Sequence, residues 1–238
     1  LQPSQIILVV DGPLGKSLEF IISKYEKILN NKLRVCRLEK NQGLAIALNF
    51  GLKYVRTEFV ARADADDFNL RSRFKKQLKF SDDRFDLFGS SIQEVDEFGK
   101  KVSIRSVPLD HAEITKFLKR RSPFNHMTVI FRTQLARDCG GYPNLDLRED
   151  YGLWAKMIKK GAKCANSDEI LVLATTGKEF YQRRGGIRSV KAEIAMQKFL
   201  VNYGYKSYFF GFIDALVKSI IFLMPSTLRA IVYKILLR

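Results

Sequence analysis

Phe59-Val60-Ala61-Arg62-Ala63-Asp64-Ala65-Asp66-Asp67 begins as an apolar strand and ends in three carboxylates within four residues. A strand that stops abruptly in acids puts them at the carboxyl edge of a sheet, where open α/β folds bind ligands. Three such charges repel one another unless something positive lies between them, and a hard divalent cation meets that need. An Asp-rich turn capping the helix expected from Leu70, with Asp67 as the cap, explains the same residues without a ligand.

Upstream, Ile6-Ile7-Leu8-Val9-Val10 is a continuous apolar run ending in Asp11-Gly12-Pro13, the pattern of a buried parallel strand and a turn. Leu18, Ile21, Ile22, Tyr25 and Leu29 share one face of a helix expected over Lys16–Leu29. Leu33–Leu38 reads as a second strand, and Asn41-Gln42-Gly43 opens a helix whose small and apolar residues suit packing on a sheet. With Phe59–Ala63 the alternation is β-α-β-α-β, which predicts the α/β class with a mostly parallel sheet flanked by helices.

Downstream, the pattern predicts a basic helix over Leu70–Phe80 and two strands in Phe85–Val107 around Glu97-Phe98-Gly99. A helix over His111–Lys119 and a strand over Met127–Phe131 follow, then a loop at Gly140-Gly141-Tyr142-Pro143. The next helix starts at Glu149-Asp150, with Leu153, Trp154, Met157 and Ile158 as its buried face. Lys163–Leu173 reads as a strand and Ile187–Tyr203 as a helix.

The length of 238 residues suits one core, taken as residues 1–204, followed by a helical tail over 205–238. The net charge of +16 favours an anionic partner. The bases are scattered, with no recognition helix or aromatic platform, so nucleic acid is excluded. Cys36, Cys139 and Cys164 are odd in number and widely spaced, as in a reducing, cytoplasmic compartment. His111 and His126 are too few and isolated for a histidine metal site, and His126 reads as structural.

Tyr208–Met224 is apolar but interrupted by Asp214 and Lys218, and short for a bilayer span. Ser226–Arg238 places Leu228, Ile231, Val232, Ile235 and Leu236 on one stripe, with Arg229, Lys234 and Arg238 off it. A basic amphipathic helix of this kind lies in an anionic membrane interface; a helical hairpin packed back on the domain is the alternative.

Four segments in this order resemble the glycosyltransferase family 2 enzymes of bacterial surface-polysaccharide synthesis. They are Val9-Val10-Asp11-Gly12-Pro13, Asn41 to Gly51, Ala63-Asp64-Ala65-Asp66-Asp67, and Gly140-Gly141-Tyr142 followed by Glu149-Asp150-Tyr151-Gly152-Leu153-Trp154. Arg183-Arg184-Gly185-Gly186 is similar to a subgroup of the same family. The resemblance spans about residues 5 to 200 and implies a GT-A nucleotide-diphospho-sugar transferase fold and an inverting reaction.

By similarity, Asp66 would ligate Mg²⁺ or Mn²⁺, and Asp64 would reach the ribose or the water shell of the metal. Asp11 matches the nucleobase contact and would favour a UDP-sugar donor; a turn-capping Asp is the other reading. Asp150 matches the general base, with Glu149 as the substitute candidate; favourable charge at a helix start is the alternative for the pair. Arg183 and Arg184 would clamp the diphosphate, or form a solvated basic loop. Trp154, by its spacing, belongs to the core.

The implied partners are a nucleotide-sugar donor, a lipid-linked or saccharide acceptor, and an anionic membrane surface at the inner face of the cell membrane, where the protein would sit peripherally. The first strand of the family is missing ahead of Leu1, which would leave Ile6–Val10 without a neighbour. A truncated, non-catalytic relative that binds membrane or a partner enzyme is the competing expectation. The Gln-x-x-Arg-Trp of processive synthases is also missing, so one sugar is expected per encounter.

Overall fold

In the computed structural model, residues 2–79, 85–176, 185–225, 228, 229 and 232 are described. The chain runs β1 (Ile6–Asp11), α1 (Lys16–Leu29), β2 (Leu33–Leu38), α2 (Leu44–Leu52), β3 (Phe59–Ala61), β4 (Phe68–Asn69), α3 (Arg73–Leu78), β5 (Leu87–Val95) and β6 (Lys101–Arg105). It continues with α4 (His111–Leu118), β7 (Ile130–Arg132), α5 (Thr133–Asp138), α6 (Glu149–Lys159), β8 (Cys164–Thr175), α7 (Gly186–Asn202) and α8 (Tyr208–Leu223). Tracts with a clear helical face or a continuous apolar run form where expected. A short 3-10 turn takes His126–Thr128, ahead of β7.

β1 and β2 pair in parallel from Ile6 opposite Leu33 to Asp11 opposite Leu38, with α1 as the crossover. β1 therefore has a neighbour along its whole length, contrary to the expectation that it would stand alone. α2 packs on this pair, with Gly51 against the side chains of Val9 and Ile7.

Among the described residues the remaining strands form a second sheet in the order β3-β7-β5-β8-β4, with β6 also on β5. The α/β class holds, but the Phe59 strand does not extend a parallel β1–β2 sheet. β3 instead runs antiparallel to β7, with Phe59 opposite Arg132. Alternation of strands and helices specifies crossovers, whereas the edge each strand takes depends on partners far along the chain. The longest ladder, β5 with β8, is parallel and joins Leu87 to Cys164 and Val95 to Thr175.

β5 is buried at every position although Ser90, Ser91, Gln93 and Glu94 lie within it. Burial of polar groups is tolerated when they are hydrogen-bonded. Asn125 Nδ2 donates to Ser90 O at 2.9 Å, and Gln93 Nε2 donates to Ser103 O at 2.9 Å. The main core lies between this sheet and α6, around Leu87, Phe124, Phe131, Leu153, Trp154, Met157, Met196 and Leu200.

α8 packs on α7, with Gly211 against Val201 and the Lys218 Nζ donating to Glu193 Oε1 at 2.7 Å. The helix expected over Ser226–Arg238 lies outside the described residues, apart from Leu228, Arg229 and Val232.

Candidate active site

The acidic turn is held by its neighbours rather than by a helix. Arg62 N donates to Val129 O at 2.8 Å as β3 ends. Asp67 Oδ1 accepts from Thr175 N at 3.1 Å, and Thr175 Oγ1 donates to Asp66 O at 2.8 Å. Asp67 thus ties the turn to the end of β8 and does not cap the following helix, as the sequence had allowed. α3 starts only at Arg73, and its N-cap position, Ser72, makes no side-chain cap.

Two arginines complete the turn. The Arg62 guanidinium pairs with Asp64 and also donates to Ala63 O. Arg73 is fully buried and donates to Arg62 O at 2.7 Å and to Gln77 Oε1 at 2.8 Å. Gln77 Nε2 in turn donates to Thr128 O at 2.7 Å, so α3 props the turn against the segment leading into β7. Burial, with the charge of Arg62 adding, lowers Arg73 to about 10, and it stays cationic at neutral pH. Burial also pushes the Asp67 carboxyl up to about 6, and the charges of Asp64 and Asp66 raise it further against a Thr175 hydrogen bond. Asp67 Oδ2 is buried without a hydrogen-bond partner among the described residues.

A second set of acids arrives on α6. Its start is fixed by the Gly140-Gly141-Tyr142 loop, where Gly141 adopts a φ of +68°. A Cβ there would also run into Asn49 Oδ1, so glycine is required on both counts. Asn49 grips the loop twice: Tyr142 N donates to its Oδ1 at 2.8 Å, and its Nδ2 donates to Tyr142 O at 2.8 Å. α2 thereby positions the loop that leads into α6.

Tyr142 is the meeting point. Its hydroxyl lies 3.2 Å from His126 Nε2, and burial pushes its ionisation well up. Arg62 opposes that rise, while Asp150, Glu149 and Asp64 add to it, so all four charges act on one phenol. Asp64 of the turn and the two acids of α6 therefore lie near the same ring, although they are far apart in sequence. Burial and the nearby Arg62 hold His126 neutral, as a structural ring beside Trp154.

Glu149 is 8% exposed, and burial followed by the charge of Asp150 raises its carboxyl to about 7. Asp150 is half-buried on the same turn. Two adjacent acids thus differ in environment, the arrangement that separates acid and base roles. Trp154 is fully buried against Phe124 and Phe131, as core.

Asp11 sits at the end of β1, where its carboxylate accepts from Gln42 N at 2.7 Å and Gly43 N at 2.9 Å. The β2–α2 loop holds it, and the acidic turn does not. Arg183 and Arg184 lie outside the described residues. Sequence reasoning passed over Arg62, Arg73 and Asn49. Asn49 had a visible signal, an amide inside an otherwise apolar and small-residue helix, whereas Arg62 and Arg73 had none that the sequence alone could show.

Asp64, Asp66 and Asp67 offer only hard oxygen donors, which fits a hard divalent cation, and the orphaned Asp67 Oδ2 leaves acceptor capacity in the turn. Among the described residues no three His, Cys, Asp or Glu side chains gather closely enough to hold an ion by themselves.

The family model described as Glycosyl transferase family 2 matches residues 1–139. The chain is 37% identical to the UDP-Gal:alpha-D-GlcNAc-diphosphoundecaprenol beta-1,3-galactosyltransferase of Escherichia coli, covering 99% of this chain and 86% of that one. It is 31% identical to the amylovoran biosynthesis glycosyltransferase AmsE of Erwinia amylovora, over 98% of this chain and 88% of the relative. Among solved structures, Staphylococcus aureus TarS 1-349 in complex with UDP superposes with a TM-score of 0.60 at 24% identity, over 84% of this chain and 58% of that one. That likeness shows the GT-A fold, and this chain spans little more than half of the TarS fragment. A family match across more than half the chain, with relatives aligned along nearly all of it, makes this protein a member of glycosyl transferase family 2.

Proposed function

We propose that the protein is an inverting, non-processive hexosyltransferase of surface-polysaccharide synthesis. It moves a sugar from a UDP-type donor to a lipid-linked or saccharide acceptor at the cytoplasmic face of the membrane. The activity that names the Escherichia coli relative, with a UDP-sugar donor and a diphosphoundecaprenol-linked acceptor, supports the substrate classes. The amylovoran enzyme supports the polysaccharide setting. One juxtaposition supports the reading: the buried Tyr142 hydroxyl lies 3.2 Å from His126 Nε2, and its ionisation is pushed up further by Asp64 of the turn and by Asp150 and Glu149 of α6.

Asp150 serves as the general base and takes the proton from the acceptor hydroxyl. The freed oxygen attacks the anomeric carbon on the face opposite the nucleotide. The anomeric C–O bond then breaks, and its electron pair leaves with the nucleoside diphosphate. Glu149, raised to about 7 and beside a charged Asp150, keeps a proton more readily and does not compete as base.

Asp66 and Asp64 would hold Mg²⁺ or Mn²⁺, which when bound supplies positive charge to the departing diphosphate. Arg62 holds Asp64 in place and brings a fixed cation to the turn. Asp11 uses its remaining lone pairs for the base imide N–H, two of its acceptor sites being taken by Gln42 and Gly43. Arg183 and Arg184 clamp the diphosphate in this reading.

The test pairs calorimetry with a transfer assay. Asp66→Ala should abolish Mn²⁺-dependent UDP binding, whereas Asp150→Asn should bind UDP normally and lose transfer by about 10²- to 10⁴-fold. Undiminished transfer in both variants would falsify the mechanism.

A further inference from the structure

Among the described residues, one face of α8 packs against the protein and the other is exposed. Gly211, Ile221 and Phe222 are buried, and Asp214 and Lys218 reach Lys206 and Glu193 through ion pairs. Phe209, Phe212, Ile213, Leu216, Ile220 and Leu223 recur at intervals of three and four on the opposite side, and all are exposed. Phe209 and Phe212 are 67% and 68% exposed. Leaving six large apolar side chains in water on one stripe is costly unless something covers them.

The packed side of α8, by contrast, reaches the end of α4. Lys218 Nζ donates to Arg120 O at 2.7 Å, which sets the C-terminal end of α4 beside α8. Lys119 and Arg120 there are exposed, and the whole chain carries +16. An apolar stripe on a strongly cationic chain matches an anionic bilayer surface, with acyl chains for the apolar side chains and headgroups for the positive charge. α8 has 16 residues, about 24 Å of helix. No helix among the described residues is long and apolar enough to cross a membrane, so the geometry is that of a helix lying flat.

We infer that the exposed face of α8 is the surface that seats this protein on an anionic lipid bilayer. The inference rests on the proposed membrane-side function and specifies an element that does the docking, α8. It also gives docking a rigid link to the site. Glu193, buried on α7, accepts from Lys218 of α8 at 2.7 Å and from Arg148 at 3.3 Å. Arg148 immediately precedes Glu149 and Asp150 and lies over the Phe222 ring. A docked α8 therefore holds the start of α6 at a fixed height above the lipid, where a lipid-linked hydroxyl arrives.

Co-sedimentation of the full chain, without substrates, with phosphatidylglycerol-containing vesicles and with pure phosphatidylcholine vesicles tests this. The wild type should partition to the anionic vesicles, less so as salt rises. Phe212→Glu/Leu216→Glu should lower partition by at least about tenfold.

Unchanged partition in the Glu pair overturns the inference. So does a wild type that stays in solution with both vesicle types. A wild-type dimer by light scattering that becomes a monomer in the Glu pair assigns the face to a second copy instead. Should the Glu pair misfold, hydrogen exchange on the wild type decides. Slowing over 208–223 only when anionic vesicles are added supports docking, and protection without lipid means that the chain itself covers the face. A chain that binds UDP but no vesicles loses this inference alone, and one that binds vesicles but no UDP with Mn²⁺ loses the proposed function alone.

Discussion

Glu149 shows how burial changes an acid that looks ordinary in sequence. Burial, then the charge of Asp150, raises its carboxyl from an ordinary 4.5 to about 7, so the folded state binds its proton more tightly than the unfolded chain. The stability from this site is fully present below pH 4.5 and is lost as pH rises through 7. Glu149→Gln removes that loss and should raise the unfolding free energy at pH 8 by about 2–3 kcal/mol, with wild type and variant converging in acid. Thermal melts across pH 4 to 8 read this directly, and parallel curves would remove the titration from the account. Asn49 is the second such residue. Asn49→Ala deletes both bonds to Tyr142 and should cost about 2–3 kcal/mol and lower transfer, with UDP affinity unchanged by calorimetry. The acids themselves were legible because charge at a strand end is rare and positioned. Arg62 and Arg73 were not, because their partners are a neighbouring carboxylate and backbone carbonyls that only the folded turn presents.

At the scale of elements, helices with a clear apolar face stood out in the sequence and the sheet edges did not. α1 and β2 form over the residues the periodicity gives, since spacing of apolar side chains is a local property. β5 hides its central place because its buried Ser90, Ser91, Gln93 and Glu94 imitate a solvent-facing strand. α5 (Thr133–Asp138), just after β7, has too few residues to show a period. The junction of α6, α7 and α8 depends on Glu193, 2% exposed and bonded to Gln197 Nε2 at 2.6 Å as well as to Lys218 and Arg148. Burial opposes its charge, but Lys218 and Arg148 outweigh burial and hold the carboxyl below its usual range. Glu193→Gln leaves the Lys218 ammonium without its counter-charge and should cost about 3–5 kcal/mol. Chemical denaturation measures it, and a change under 1 kcal/mol would show that the triad is incidental.

For the whole molecule, one aromatic cluster joins the core to the site. Trp154 is fully buried beside Phe124, His126, Phe131 and Tyr142, and Tyr142 is the residue on which the acids converge. Trp154→Ala should cost about 3–5 kcal/mol and lower the melting temperature by roughly 10 °C. Transfer should fall further than stability alone explains, because the cavity lies directly beneath Tyr142; a variant with full activity below its melting point would separate core from site. By itself the sequence determined the α/β class, most helices, the acidic turn, the paired acids of α6 and the excess of positive charge. All of these depend on which residues are near one another along the chain. Only the tertiary structure decided that β3 pairs with β7, that Asp67 ties to β8, that Arg73 lies under the turn, and that α8 leaves an apolar face uncovered. Those outcomes depend on which backbone groups and helix faces meet in three dimensions, and no local pattern of spacing encodes that.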